Sequence, residues 1–594
     1  MKETHKAERQ FVIIGAGPAG LTAAHELTKF GLRPIVFEKE DQVGGIARTE
    51  NYKGFLFDMG GHRFFTKVEE VKKLWCEILG DDFLRRPRLS QIYYNHKFFY
   101  YPLKPFNVLV DFGFRESFCV ILSYLKWHLF PYRPEDTFEQ WVTNRFGKRL
   151  FLIFFKTYTE KVWGISCSEL KAEWADQRIK DLSLKTALLN MFLKPKTTVK
   201  TLIQEFDYPR YGPGMMWNAF KEEVERRGGT VRLNYDTIRI HRKGNVIDSV
   251  GVSWNGNGQE EVIKGTDFIS SIPVTEFIKR LDPPAPPEVL QAVEKLRYRD
   301  FLTVCLIVNK PDLFPDNWIY IHDPGVKVAR IQNFKNWSPD MVPNPAKTSL
   351  GLEYFCTEGD EIWNTPDADL IELGKREVEQ VGLARYEDVE DGCVFRVPKA
   401  YPIYDSNYRD CLVPIRRFLD SLENFQTIGR NGLHRYDNQD RAMLTGMLAV
   451  RNLMLGERHN LWSVNADQEY CEEVREVIKV AQRSLTRVFP KLDRTAFGLS
   501  LGTAAGLLLF LATLRLMLKG GDVVGPHLQL LSHYFPGYSV TVSGSAVGLA
   551  YGFVAGFVSG WGVALLRNLA VFLSMALIHR RAEWQLLRKL FDHI

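Results

Sequence analysis

The chain opens on a short apolar run that leads directly into glycines. Residues 11–14 read FVII and the next six residues read GAGPAG. An apolar run followed by a glycine-rich turn and a helical pattern predicts a strand, a tight turn and a helix. A second apolar run, 34–37, ends at Glu38. This order predicts the first strand, helix and strand of a nucleotide-binding sheet.

The middle of the chain alternates between helical and strand-like patterns. Residues 108–164 are helical and rich in aromatic side chains, and residues 229–250 are strand-like. The run 267–273 is short and apolar, so we expect it to return the chain to the nucleotide-binding sheet. A second sheet, mostly antiparallel, is predicted from four short runs of apolar and aromatic residues: 303–308, 318–322, 328–333 and 350–355.

The last hundred residues have a different pattern. No charge occurs in 495–514 or in 540–566, and each run is long enough to cross the hydrocarbon layer as a helix. The second run has glycines at 544, 548, 552, 556 and 560. Glycines four residues apart share one side of a helix and allow a second helix to approach closely. The pattern predicts a packed transmembrane hairpin or a homo-oligomer.

Basic residues flank the outer ends of both runs. They are enriched on the cytosolic side of membrane proteins, so we expect both ends of the hairpin in the cytosol. Residues 568–594 mix apolar and basic side chains, which favours an amphipathic helix on the membrane surface. The flanking residues are Arg483, Arg487, Lys491, Arg494, Arg567, Arg580, Arg581, Arg588 and Lys589.

Composition adds limits on function and location. The chain has 594 residues and a net charge of +6, without a basic stripe interleaved with aromatics, so nucleic acid is not an expected partner. Its 8 cysteines are scattered, which predicts reduced thiols and neither a disulfide frame nor a metal site. No secretory signal is expected before the first strand. The expected location is the cytoplasmic (inner) membrane, multi-pass, with the large domain facing the cytosol.

The glycine turn and Glu38 indicate a bound dinucleotide. Gly15 allows the tight turn, Gly17 lets a pyrophosphate approach the backbone and Gly20 lets the helix pack on the strand, while Glu38 accepts hydrogen bonds from a ribose. A late glycine turn at Gly429 suggests that a long cofactor touches both ends of the chain, which favours FAD over NAD. The other expected cofactor-binding residues are Gly45, Arg48, Gly60, Gly61, His62, Val231 and Asn438.

These patterns predict an α/β fold. A Rossmann-like FAD-binding domain is interrupted by a helical, aromatic-rich segment and by a mostly antiparallel substrate domain, and a transmembrane hairpin follows. The predicted parts are 1–100 (FAD-binding, first part), 101–200 (helical substrate-pocket segment), 201–275 (FAD-binding, second part), 276–420 (substrate domain), 421–494 (FAD-binding, final part, and a helix to the membrane) and 495–594 (two membrane helices and the tail).

Several ordered motifs between residues 11 and 453 resemble those of the UDP-galactopyranose mutases, within the wider amine oxidase and protoporphyrinogen oxidase group of flavoproteins. The most specific is FFKTYTEKVWG followed much later by IGRNGLHRYDNQD; the others are GAGPAG, GGIARTE, GGHRF, ARIQNF, LEYF and YPIYD. The resemblance implies an isomerase that interconverts the pyranose and furanose forms of a sugar. Its reaction uses reduced FAD, whose N5 attacks the anomeric carbon and displaces a phosphate leaving group.

The resemblance also implies roles for particular residues. His62, Arg178 and Arg330 correspond to catalytic positions, with the two arginines clamping the leaving phosphate. The corresponding substrate-binding positions are Tyr158, Trp163, Glu353, Tyr401, Tyr404 and Tyr436. For Glu353, pairing with an arginine is the alternative.

Three positions depart from the family pattern, and they argue against a uridine diphosphate carrier. His434 replaces a tyrosine, Asn438 replaces an aspartate and Phe65 replaces a histidine. Together with the hairpin, they suggest a polyprenyl-phosphate-linked substrate, with a nucleotide-linked sugar as the alternative, in cell-envelope glycan biosynthesis. Expected partners are the lipid bilayer and a membrane glycosyltransferase; NAD(P)H is a candidate external reductant.

Two other functions fit the same patterns. One is a membrane FAD oxidoreductase, similar to protoporphyrinogen oxidases, desaturases or amine oxidases, acting on a lipophilic substrate. The other is a membrane scaffold that contains FAD.

Overall fold

The computed structural model describes residues 9–101, 105–172, 205–256, 258–464, 492–520 and 525–591. The chain divides into two compact units, Met1–Asp467 and Gln468–Ile594. The strands are β1 (Phe11–Ile14), β2 (Ile35–Phe37), β3 (Thr49–Tyr52), β4 (Phe55–Asp58), β5 (Phe83–Pro87), β6 (Ser90–Tyr94), β7 (Lys97–Tyr100), β8 (Glu205–Pro209), β9 (Thr230–Arg232), β10 (Tyr235–Lys243), β11 (Val246–Trp254), β12 (Glu261–Lys264), β13 (Asp267–Ser270), β14 (Leu281–Asp282), β15 (Tyr298–Val308), β16 (Trp318–Ile321), β17 (Arg330–Asn333), β18 (Thr348–Cys356), β19 (Val389–Pro402) and β20 (Phe425–Thr427).

The described α-helices are α1 (Pro18–Lys29), α2 (Glu69–Leu79), α3 (Pro105–Leu129), α4 (Phe138–Phe146), α5 (Lys148–Leu150), α6 (Thr157–Trp163), α7 (Pro213–Arg226), α8 (Val274–Lys279), α9 (Pro287–Lys295), α10 (Phe334–Trp337), α11 (Glu361–Asn364), α12 (Asp367–Val381), α13 (Tyr408–Asp420), α14 (Gly429–Gly432), α15 (Gln439–Leu455), α16 (Arg494–Lys519), α17 (Pro526–Gln529) and α18 (Val542–Phe591). Residues Phe151–Lys156 form a π-helical turn between α5 and α6.

A parallel sheet with the strand order β20-β13-β1-β2-β9 carries the nucleotide-binding end of the large unit. Its strands come from three separated stretches of chain, the same three from which the sequence predicts the FAD-binding domain. Gly15 turns the chain out of β1 with a φ of 97°, and a Cβ on Gly20 would lie 2.0 Å from the Gly15 carbonyl oxygen. Helix α1 therefore packs against this turn only because residue 20 is glycine.

The second large sheet is mixed and seven-stranded, with the order β19-β15-β18-β17-β16-β6-β7. Strands β15 to β18 coincide with the four predicted runs, and β15–β18, β18–β17 and β17–β16 pair antiparallel. The hairpin β6–β7 joins this sheet because β6 pairs in parallel with β16. Residues from Ser90 onwards thus belong to the seven-stranded sheet, although the sequence predicts that the FAD-binding part extends to residue 100.

Helices α3 to α6 supply the predicted helical segment as far as Trp163. Helix α3 is interrupted at Gly113, which has a φ of 77°. Residues 173–200 of the predicted segment lie outside the described residues. Strand β8, which comes after the segment, pairs with β5.

In the C-terminal unit α16 and α18 form the predicted packed hairpin. A Cβ on Gly502 would lie 2.7 Å from the Phe553 carbonyl oxygen, and one on Gly556 would lie 2.7 Å from that of Leu501. Both helices therefore contribute glycines, and their backbones meet. Helix α16 therefore packs on the glycine face of α18 within one chain. The backbone of α18 continues as a helix to residue 591.

Two helical stretches in this unit are long and apolar enough to cross a membrane, Arg494–Lys519 and Val542–Leu569, with mean hydropathies of 1.9 and 1.7. Only 22% of each apolar window is buried within the protein, unlike the core helices of a soluble domain. Length and composition therefore permit membrane insertion.

Candidate active site

A groove runs across the carboxyl ends of the parallel strands, as ligand sites do in open α/β sheets. The turn from β1 into α1, the end of β2 and the loop Gly45–Arg48 form one wall. Gly17 and Gly45 face each other, and a Cβ on Gly17 would lie 4.0 Å from the Gly45 Cα. The N-terminus of α1 also faces the groove, so its backbone N–H groups and its dipole favour an anion.

Glu38 is held in the groove by the backbone. One carboxylate oxygen accepts a hydrogen bond from the Ala16 amide at 2.8 Å, and the other accepts one from the Glu40 amide at 3.1 Å. Burial raises the pKa of Glu38 above its usual value, although these two amides oppose that shift. The oriented oxygens have lone pairs left that could accept hydrogen bonds from ribose hydroxyls, which is the role predicted for Glu38.

The late glycine turn supplies the opposite wall. Gly429 has a φ of 76° and follows β20, and Asn438 precedes the first turn of α15. This groove meets a second cavity, and four residues line both: His62, Arg430, Asn438 and Gln439.

The groove contains buried polar atoms that the protein leaves without partners. The Thr237 hydroxyl and both amide atoms of Gln439 have no hydrogen-bond partner in the protein, although Thr237 is 2% exposed and Gln439 is 8% exposed. Buried polar groups are nearly always hydrogen-bonded, so these atoms indicate a bound polar group. Together with the glycine wall and Glu38, they fit an extended dinucleotide such as FAD.

One predicted cofactor contact is misplaced. Val231 belongs to β9 and packs in the core beside helix α7 rather than lining the groove. The chain turns at Asn234, whose φ is 62°, and the next strand brings Tyr235 and Thr237 to the groove instead. The sequence pattern places a single strand here, and the break at Asn234 moves the contacts from Val231 to Tyr235 and Thr237, four and six positions later.

The second cavity, of about 390 Å³, lies between the parallel sheet and the seven-stranded sheet. We call it the substrate cavity. Gly60 and Gly61 form part of its wall, and a Cβ on Gly61 would lie 2.9 Å from the Gln332 amide nitrogen. None of the described residues that line it is Asp or Glu, whereas four are arginines: Arg63, Arg88, Arg330 and Arg430. The wall therefore carries net positive charge.

Arg330 is fixed by a buried carboxylate. Its Nε lies 3.0 Å from both oxygens of Glu353, and its Nη2 also donates to Glu353. Glu353 is fully buried and also accepts a hydrogen bond from Gln332 at 2.7 Å. Burial opposes the charge on Arg330, but the Glu353 carboxylate raises the pKa of this guanidinium above its usual value. Glu353 therefore occupies the alternative role stated above, as the partner of an arginine, and does not line the cavity.

Two other arginines lie over one indole. The guanidinium carbons of Arg63 and Arg88 are 5.1 Å and 5.5 Å from the centre of the Trp318 ring. Among the described residues neither forms an ion pair with a carboxylate, and Arg88 hydrogen-bonds the Tyr101 hydroxyl. Burial, together with the charges of Arg88 and Arg330, lowers the pKa of Arg63, while Tyr320 opposes the shift. These two cations are available to an anionic ligand.

Aromatic side chains line the remaining wall. Tyr158 stacks on His322 with ring centres 4.8 Å apart, and Tyr401 stacks on Tyr436 at 5.4 Å. Trp163 lies 6.0 Å from Tyr436. Burial raises the pKa of the Tyr158 and Tyr401 hydroxyls, so both stay protonated and can donate hydrogen bonds.

Tyr404 differs from the other predicted substrate contacts. Its hydroxyl accepts a hydrogen bond from the Tyr436 amide at 2.6 Å, and it does not line the cavity. Tyr404 thus positions Tyr436, while Tyr401 faces the substrate cavity. The two tyrosines of the YPIYD motif therefore have separate roles.

His62 lies where the groove meets the substrate cavity. Its Nε2 is 2.8 Å from the Met59 carbonyl oxygen; a carbonyl only accepts, so this nitrogen carries the proton. Burial, with the nearby charges of Arg430 and Arg330, lowers the pKa of His62 to about 4. The imidazole is therefore neutral near pH 7.

Arg178 lies outside the described residues, whereas Arg63, Arg88 and Arg430 were missed at the sequence level. Arg430 follows Gly429 directly and lies 4.7 Å from the Tyr436 ring centre. Arg63 follows His62 in GGHRF. Both arginines could have been predicted as site residues, because each directly follows a predicted site residue within a motif. Among the described residues, no group of three or more His, Cys, Asp or Glu side chains is arranged to hold a metal ion.

The model of one protein family matches residues 18–408 of this chain, and its description is flavin containing amine oxidoreductase. The match spans more than half of the chain, which therefore belongs to this family of FAD-dependent enzymes.

Curated relatives include plant and cyanobacterial desaturases. The 15-cis-phytoene desaturase of Narcissus pseudonarcissus is 25% identical over 310 residues, covering 48% of this chain and 51% of that protein. That of Synechococcus elongatus is 25% identical over 280 residues, covering 44% and 57%. The chain thus spans about half the length of the curated relatives it matches.

Solved structures share the fold. A reduced UDP-galactopyranose mutase superposes with a TM-score of 0.66 at 22% identity, covering 76% of this chain and 96% of that one. A protoporphyrinogen oxidase-like protein from Exiguobacterium superposes with a TM-score of 0.60 at 16% identity, covering 76% and 100%. The fold is that of the flavin amine oxidases, α/β with mixed sheets.

Proposed function

We propose that this protein is an FAD-dependent sugar pyranose/furanose mutase that acts on a phosphate-activated sugar and is anchored in the cytoplasmic membrane by its C-terminal hairpin. The main observation in support of this function is the wall of the substrate cavity, where the described residues include four arginines and no carboxylate. Such a wall is complementary to an anion and costly to cover with hydrocarbon. The motifs shared with the mutases, centred on Tyr158, Trp163 and Arg330, support the same choice.

The residues of the cavity divide the work between charge and orientation. Arg63, Arg88 and Arg330 neutralise the phosphate that leaves and returns, and the planar guanidinium fork suits bidentate contact with its oxygens. The protonated hydroxyls of Tyr158 and Tyr401 donate further hydrogen bonds. Ring faces such as that of Trp163 pack against the sugar and keep water away from it.

The neutral His62 lies where the groove meets the substrate cavity, so it would face a cofactor and a substrate bound there. Because its Nε2–H is used by Met59, its orientation is set before the substrate binds. FAD bound in the groove by the glycine turn and Glu38 would supply the nucleophile for this chemistry in its reduced form. The reductant is a separate requirement, and NAD(P)H is our proposed external donor.

The hairpin suggests which sugar carrier is used. A soluble nucleotide sugar needs no anchor, whereas a polyprenyl-phosphate-linked sugar is itself confined to the bilayer. We extend the proposal to such a carrier, with a membrane glycosyltransferase consuming the product in cell-envelope glycan synthesis. The basic residues outside both helices favour a cytosolic catalytic unit.

A second function is favoured by one observation, the 25% identity with phytoene desaturases. An enzyme of that kind would oxidise a lipophilic substrate and reduce its flavin. The buried cations of the substrate cavity argue against a hydrocarbon ligand.

The test uses the full-length protein in detergent, loaded with FAD and reduced with dithionite. Polyprenyl-phosphate-linked and nucleotide-linked pyranoses are added separately, and the ring form of the sugar is measured by NMR. We expect one class to be converted to furanose by the reduced enzyme and not by the oxidised enzyme. A folded, fully reduced enzyme that converts neither class of sugar would refute the proposal.

A further inference from the structure

Helix α3 exposes an unusually apolar face. After the break at Gly113, large apolar side chains recur at positions spaced by three or four residues, which places them on one side of the helix. They are Phe118 (54% exposed), Ile121 (44%), Leu122 (51%), Leu125 (48%) and Leu129 (69%), followed by Phe130 (73%). We call this set the α3 apolar face. Contiguous exposed patches of this kind mark interaction surfaces in soluble domains.

The other side of the same helix packs towards the substrate cavity. Val120 is 2% exposed and belongs to a small core cluster with Ile92 and Phe154. Ile92 and Phe154 also line the substrate cavity. Helix α3 is thus one layer of side chains away from the cavity, and whatever covers its apolar face lies close to the substrate.

The residues around the α3 apolar face are of the types that membrane proteins place at the level of the lipid headgroups. Lys126 is exposed and its Nζ lies 5.3 Å from the Trp127 ring centre, and Trp127 stacks on Tyr132 at 4.4 Å. Trp, Tyr and basic side chains are the groups that lie at the headgroup level of membrane proteins. Lys is depleted at the core of protein interfaces.

Two carboxylates near the face are neutralised by arginines. Glu116 pairs with Arg149, and Glu135 pairs with Arg145 at 2.8 Å. The same chain carries the two candidate membrane spans. A lipid bilayer is therefore the partner of the α3 apolar face that agrees best with the rest of this chain.

We propose that the α3 apolar face inserts into the boundary between headgroups and acyl chains of a lipid bilayer, as an interfacial amphipathic helix does. The contact with the bilayer does not depend on the proposed function, but its consequence for the substrate rests on that function. The carrier of a lipid-linked sugar stays in the bilayer next to α3, while its phosphate and sugar reach the arginines of the substrate cavity.

The test places a fluorescent label on the full-length protein in vesicles of phosphatidylcholine and phosphatidylglycerol. Cys76 and Cys119, which are exposed, are first replaced by serine. NBD is then attached to Leu122→Cys or Leu129→Cys, and as a matched control to Val262→Cys, which replaces a residue 54% exposed on β12. Lipids with a nitroxide in the acyl chain quench a label only where it enters the bilayer.

We expect both α3 labels to be quenched about twofold or more relative to the Val262 label. Equal quenching at the three positions would overturn the proposal. So would α3 labels that the acyl-chain nitroxide does not quench in vesicles but that are shielded there from aqueous iodide, since that result assigns the face to a second protein or a second copy. This readout does not require turnover, so it is independent of whether the protein is a mutase.

A second measurement connects the face with the substrate. The double variant Leu122→Asp, Leu125→Asp is expected to lose activity about tenfold or more on a lipid-linked sugar in vesicles, while activity on a short-chain analogue in detergent is unchanged. Val262→Asp serves as the control. Unchanged activity on the lipid-linked sugar in vesicles, with both α3 labels unquenched, would refute the docking of α3 on the bilayer.

Discussion

Replacing Arg63 by methionine tests whether this buried arginine stabilises the fold or binds the phosphate of the substrate. Arg63 and Arg88 lie over the same Trp318 ring, at 5.1 Å and 5.5 Å from its centre, so their guanidinium carbons are about 10 Å apart or closer. At that upper limit of distance two like charges repel by about 1.6 kcal/mol at an effective dielectric constant of 20, and they repel more strongly if they are closer. Loss of the cation–π contact costs about 1 to 2 kcal/mol.

These opposing terms nearly cancel, and methionine avoids the cost of burying a cation. We therefore expect the free energy of unfolding of Arg63→Met to lie within about 1 kcal/mol of the wild-type value, or above it. Substrate binding, in contrast, loses a charge-assisted hydrogen bond of about 1.5 to 3 kcal/mol. That loss corresponds to roughly a 10- to 150-fold weaker affinity.

The assay combines urea unfolding of the full-length protein in detergent with calorimetric titration of a phosphate-activated sugar. Arg145→Met is the matched control, because Arg145 lies 3.8 Å over Trp141 and pairs with Glu135 away from the substrate cavity. It should lose up to about 1 kcal/mol of stability and no affinity. The reasoning fails if Arg63→Met is destabilised by several kcal/mol and binds the sugar as tightly as the wild type.

Three further predictions test other parts of the structure. Glu38→Gln should weaken FAD binding about tenfold, measured by flavin fluorescence; an unchanged Kd contradicts the ribose contact. Burial raises the pKa of Asp58 to about 7, against about 3.9 when unfolded. The native state then holds the extra proton between those values, so this group lowers stability by about 1.4 kcal/mol per pH unit as pH rises; Asp58→Asn should remove that slope from urea unfolding between pH 5 and 7, and an unaltered slope refutes it. Gly556→Leu should separate the hairpin helices and lower its melting temperature, whereas Gly562→Leu, where a Cβ meets nothing within 4 Å, should not; equal effects would exclude the glycine contact.

The sequence predicts best what local geometry determines. The turn at Gly15, the position of Glu38 at the end of β2 and the four runs that become β15 to β18 all follow from patterns within a few residues. The hairpin follows in the same way, since uncharged length and glycine spacing are local properties. The glycines of α16 were missed because their spacing matters only against a second helix.

The substrate cavity depends on contacts between distant parts of the chain. Arg63 and Arg88 meet at Trp318, more than two hundred residues later, so neither stands out in its own segment. Glu353 and Tyr404 lie in motifs shared with the mutases, yet the structure uses them to position Arg330 and Tyr436. A motif therefore identifies the neighbourhood of a site, while burial decides which side chain faces the ligand.

The central claim is most directly tested by mixing the oxidised, FAD-loaded protein with its phosphate-activated sugar in the absence of oxygen and recording the flavin absorbance. A mutase has no net redox step, so the account predicts that the sugar leaves the oxidised flavin spectrum unbleached, while the same sugar is converted between ring forms after dithionite reduction. Bleaching of the flavin by the substrate alone would contradict it and identify an oxidoreductase.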